Sequence, residues 1–113
     1  MGRSLSSPAA SSAGAGTTVG ATANYTAVAG DVVLIDTATN AAEITITLPA
    51  TPSVGDRVNF IDAAGNCGTV KAVIARNSNK IANIDDDVDF DIKNASLELI
   101  YTGSSFGWSI LSN

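Results

Sequence analysis

From Tyr25 onward the chain is cut into short runs whose apolar residues recur at every second position, several of them bounded by Gly-Asp, Gly-Asn or Pro signals. Glu43-Ile-Thr-Ile-Thr-Leu48 places Ile44, Ile46 and Leu48 on one face, with Glu43, Thr45 and Thr47 on the other. The same alternation puts Val58 with Phe60, Val70 with Ala72 and Ile74, Val88 with Phe90 and Ile92, Leu97 with Leu99 and Tyr101, and Trp108 with Ile110. A period of two is the signature of a half-buried strand, and Thr fits the pleat through its β-branch. No stretch carries apolar residues at i, i+3, i+4 and i+7 for long enough to argue a helix.

The breaks have their own chemistry. Ala29-Gly-Asp31, Val54-Gly-Asp56, Ala64-Gly-Asn66 and Gly103-Ser-Ser105 offer glycines for positive-φ turn positions, while Pro49 and Pro52 fix φ in a loop. Ile35, Val33, Val73 and Ile100 fall opposite their neighbours' expected core residues, which suggests strands apolar on both sides. The expected fold is all-β, a compact antiparallel β-sandwich or barrel of jelly-roll-like type spanning residues 24–113. Residues 1–23 differ: nearly all are Ser, Ala, Gly or Thr, too little apolar surface to offset ordering entropy in isolation. They are expected to form an extended, low-complexity arm that docks onto partners.

Charge narrows the function classes. Six basic and eleven acidic residues leave a net charge of −5, and only 15% of the 113 residues are charged. Arg3, Arg57, Lys71, Arg76, Lys80 and Lys93 are scattered, with none of the clustering that phosphate binding requires, so no nucleic acid partner is expected. No apolar stretch approaches the roughly 20 residues of a membrane-spanning helix, and the first residues lack the apolar core of a secretory signal. Synthesis in the cytoplasm without membrane insertion is the expectation. Cys67, the sole cysteine, reads as a small turn residue with no intrachain disulfide partner.

The chain has no histidine, which removes the commonest general base, thiol or hydroxyl activator and metal ligand. Asp62 and Glu98 are one of many acid pairs that could be drawn, and no spacing singles out a glycosidase pair. No cofactor, catalytic residue or enzyme activity is expected. The acidic run Asp85–Asp91 is the one chemically suggestive cluster. Counted from Asp87, acids fall at calcium-loop positions 1, 3, 5 and 12, namely Asp87, Asp89, Asp91 and Glu98. Ile92 stands where such a loop needs Gly, so a solvated strand face is the expectation and a cation cluster its rival. Tyr101 and Trp108 could stack on a sugar ring; closure of the core by Trp108 is the preferred account. Asn94-Ala-Ser96 reads as a turn.

Five marks in succession resemble a small all-β module of tailed-bacteriophage tail fibres and other virion surface proteins. They are Tyr25-Thr-Ala-Val-Ala-Gly-Asp31 with Val33 to Asp36; Ile44-Thr-Ile-Thr-Leu-Pro49; Pro52-Ser-Val-Gly-Asp56 with Val58, Phe60 and Asp62; Val73-Ile-Ala-Arg-Asn77 with Lys80-Ile81; and Asn94-Ala-Ser96 leading to Leu99, Tyr101 and Gly107-Trp108. The resemblance implies a structural protein of the virion, on the tail or the capsid surface, that assembles as a homo-oligomer, a trimer. Its other partners would be tail, baseplate or major capsid proteins met through residues 1–23, with host surface glycan as a further ligand. A capsid decoration (cement) protein is the alternative placement. The resemblance brings no catalytic residues.

Overall fold

The computed structural model describes residues 16–113. Residues 1–15, the larger part of the expected arm, lie outside the described residues. Nine strands follow: β1 (Thr18–Ala21), β2 (Tyr25–Thr26), β3 (Val32–Ile35), β4 (Ile44–Thr47), β5 (Arg57–Asp62), β6 (Ala72–Ala75), β7 (Val88–Phe90), β8 (Ser96–Tyr101) and β9 (Trp108–Ser112). They form two sheets, a five-stranded one in the order β1-β3-β5-β8-β9 and a four-stranded one in the order β2-β4-β6-β7.

The all-β expectation stands; the antiparallel, jelly-roll-like one is corrected. β1, β3 and β5 are mutually parallel, and so are β2, β4 and β6. The chain therefore winds as a coil, leaving one strand in the larger sheet and the next in the smaller. Antiparallel pairing begins with β7 on the small sheet and with β8 and β9 on the large one. The alternation of apolar residues reports which face is buried and is blind to the direction of the neighbouring strand. The successive coils also differ in length, as the register Thr18–Val32–Asn59 shows, so no sequence repeat betrays the winding.

A second correction concerns residues 18–21, assigned to the arm on composition. Thr18 and Val19 are β-branched, and the segment pairs along the edge of the large sheet, where Val32 N–H donates to Thr17 O at 2.9 Å and Asp36 N–H to Ala21 O at 3.0 Å. Gly16 enters so close to Gly30 that a Cβ would meet its carbonyl carbon. Small residues, read as those of a docking arm, here permit close backbone approach within the chain's own sheet.

The core lies between the sheets. Val33, Ile35, Val58, Phe60, Leu99 and Trp108 point inward from the large sheet, and Ile44, Ile46, Ala72 and Ile74 meet them from the small one. Phe60 and Phe90 span the interface with ring centroids 6.4 Å apart. Val33 and Ile35 are thus the core face of their strand, not a second apolar face. Val73 and Ile100 are half-buried on outer faces. Gly30, Gly55, Gly65 and Gly103 have positive φ, as the turn signals require.

Candidate functional site

The two sheets do not match in width, and this leaves one corner of the sandwich open. The inner face of β8 and β9 extends past β7, the last strand of the small sheet. At the Trp108 end the gap is closed by a two-residue turn, in which Ala82 and Asn83 take positive φ and Ile81 and Ile84 bridge antiparallel. This turn also seals the strand edge: Trp108 N–H donates to Lys80 O, and Ala82 N–H to Trp108 O, both at 2.7 Å.

Nothing among the described residues covers the other end. A groove of about 540 Å³ opens there, lined by Val88, Phe90, Ile92, Leu97 and Ile110, with Asp89, Asp91 and Lys93 at its polar margin. Ile92 is 67% exposed and Ile110 49%. Leu111, also exposed, sits where the β8–β9 register shifts and is the extra residue of a bulge. Sequence reasoning placed Ile92 and Ile110 on inner faces and missed that those faces lack a cover. The available signal was the pair Ile110-Leu111, two adjacent large apolar residues in a strand that needs one.

The four acids of the suggested cation cluster are not brought together. Asp87 Oδ1 accepts the Arg76 backbone N–H at 2.9 Å, and Asp89 pairs with Lys71 Nζ at 3.2 Å. Asp91 borders the groove. Glu98 is on the other sheet, 3.5 Å from Arg57 Nη1. Among the described residues no three potential metal ligands converge. The proposed sugar platform is also closed. Trp108 is fully buried and Tyr101 nearly so, the two rings meeting edge to face at 5.3 Å, which leaves neither face to a ligand. Trp108 Nε1 finds no hydrogen-bond partner among the described residues.

Two carboxylates are buried, and both are committed to the backbone. Asp31 accepts from Thr17 N–H, Val28 N–H and the Tyr25 hydroxyl, the last at 2.6 Å. Asp62 accepts N–H groups from Asn66, Cys67 and Asn94 at 2.9 to 3.1 Å. Burial alone would raise the Asp62 pKa; the N–H donors of Asn94, Cys67 and Asn66, with the Cys67 thiol, outweigh it and hold the group below its usual range. Asp62 faces inward with Phe60, whereas Glu98 lies opposite Asn59 on the outer face of the same sheet. The two acids therefore cannot flank one scissile bond. Burial pushes the Cys67 thiol up to about 12, helped by the adjoining Asp62 carboxylate. Such a thiol is inert at neutral pH.

The described residues expose an apolar groove with Asp89, Asp91 and Lys93 at its margin, beside the β9 edge of the larger sheet. No protein-family model matches the chain, and no curated protein shows significant similarity to it.

Proposed function

We propose that the chain is a structural subunit of a bacteriophage particle, a small tail-fibre or baseplate-associated component that assembles as a homotrimer and docks through its N-terminal residues. The observation that carries this reading is the groove with Ile92 and Ile110 in its wall, which no described residue covers, joined to the part of the β9 edge that no described strand pairs. Exposed apolar surface next to a free strand edge is a liability in a solitary protein and an asset in one built to be covered. The phage-fibre resemblance adds the kind of assembly. Its marks fall on β2 to β6, on β8 and at the start of β9.

A decoration protein of the capsid is the competing placement. A carbohydrate-binding role loses its support with the burial of Tyr101 and Trp108. Mass spectrometry of separated heads and tails from particles carrying the gene tests the proposal: the chain is expected in the tail fraction. Recovery with heads moves it to the capsid, and absence from both fractions rejects a virion role.

A further inference from the structure

The direction of β1 and the position of the groove together bear on how one copy meets the next. β1 occupies one edge of the large sheet and β9 the other, four strand spacings apart, or roughly 20 Å. Lengthwise they are offset as well. Gly16 comes in beside Gly30, near the start of β5 at Arg57, and β1 then runs toward the Asp62 end, where Ser96, Leu97 and Ile110 border the groove. Gly16 thus stands at the corner of the sheet diagonally opposite its own groove.

The acceptor side is defined by hydrogen bonding. In an antiparallel edge strand the backbone groups of alternate residues face outward. Trp108 faces outward and is taken by Lys80 and Ala82; Ile110, two residues on, faces the same way with no strand alongside among the described residues. An added extended segment would continue the edge where the 80–82 segment stops. It would need an apolar side chain for the groove and small neighbours for close approach; a cation on it could pair with Asp91, on a margin that Lys93 shares and where Asp89 is already paired with Lys71.

Residues 1–15 supply that combination. Arg3 is their sole charged residue, Leu5 stands two positions on, and Ser, Ala and Gly fill most of the rest. In an extended strand residues i and i+2 share a face about 7 Å apart, so Leu5 over Ile92 and Ile110 leaves Arg3 within reach of the acidic margin. Fifteen extended residues span about 50 Å. That reach allows entry into a second copy lying against the Gly16 corner, whereas the same molecule's groove is at the far corner of the sheet.

We infer that the segment around Arg3 and Leu5 of one copy adds to the β9 edge of the next and seats Leu5 in the groove, linking copies head to tail. This rests on the reading of the N-terminal residues as a docking element. A heterologous contact of this kind gives a ring, such as a trimer, where the rotation between copies closes, and an open filament where it does not.

The test mixes two full-length variants, Leu5→Cys and a size-tagged Ile110→Cys, under mild oxidation; Cys67 is buried and stays out of the reaction. Disulfide-linked mixed dimers are expected at a yield at least about tenfold above a Leu5→Cys with Val54→Cys control, because docking raises the local thiol concentration. Val54 is exposed at the opposite end of the sandwich. Equal yields overturn the inference. So does a Leu5→Cys/Ile110→Cys double variant that links within single chains while the mixture yields no dimers. In a parallel arm, Ile110→Asp in the otherwise unchanged chain is expected to lower the mass of the assembly, and Val54→Asp to leave it alone. A trimer that persists in Ile110→Asp, together with no disulfide dimer in the Leu5→Cys and Ile110→Cys mixture, sinks this contact and leaves the virion reading standing.

Discussion

The backbone N–H of Asn94 donates to Asp62 Oδ2 at 2.9 Å, across 32 residues of chain, and ties the β7–β8 connection to the end of β5. Because Asp62 also accepts from Asn66 and Cys67, its carboxylate organises two loops at once. Asp62→Asn puts an NH₂ group where an acceptor is needed and is expected to cost about 3 kcal/mol in urea unfolding.

The same carboxylate has a pH signature. Its folded pKa lies below the unfolded value, so its contribution is complete above about pH 4 and is lost as pH falls through the folded pKa. Asp36, held low mainly by the Thr39 hydroxyl, titrates in the same direction. Subtracting the acid limb of Asp62→Asn from that of the wild type isolates the Asp62 part, which is expected to be positive above pH 4 and to shrink below it.

Tyr25 gives the opposite sign. Its hydrogen bond to Asp31 comes first, then burial, in raising the phenol above its ordinary pKa. That contribution is complete below about pH 10 and disappears as pH climbs through the raised folded value. Tyr25→Phe is expected to lose about 1 kcal/mol at neutral pH and to show a flatter alkaline limb in thermal melts.

Two glycines with positive φ separate backbone strain from lack of space. At Gly107 (φ 76°) a Cβ would meet the Lys80 carbonyl oxygen, at the contact that seals the Trp108 edge. At Gly55 (φ 96°) a Cβ would meet open space. Gly55→Ala is expected to cost about 1 kcal/mol and Gly107→Ala more than about 3 kcal/mol, compared by denaturant midpoint.

Much of the body was legible from spacing because burial parity is local. Ile44, Ile46, Leu48, Val58, Phe60, Leu97, Leu99 and Trp108 all lie inside as the alternation requires. The strand directions were not legible. Parallel pairing of β1 with β3 and β5 depends on loops of unequal length passing between sheets, and no residue pattern records that. β1 escaped because its residues continue the Ser-, Ala-, Gly- and Thr-rich composition of the expected docking arm. The groove escaped for a related reason: alternation says that Ile92 and Ile110 face inward, and sheet width decides whether anything is there to meet them. The burial of Asp31 and Asp62 was not legible, since most of their donors are backbone groups that a sequence does not display.

The central claim is that this surface exists to be covered by other copies. Sedimentation equilibrium of the full chain from 1 to 50 micromolar (roughly the range in which specific protein contacts of moderate strength form) measures it directly. A mass of three chains is predicted throughout the upper part of that range. A single-chain mass at every concentration would contradict it.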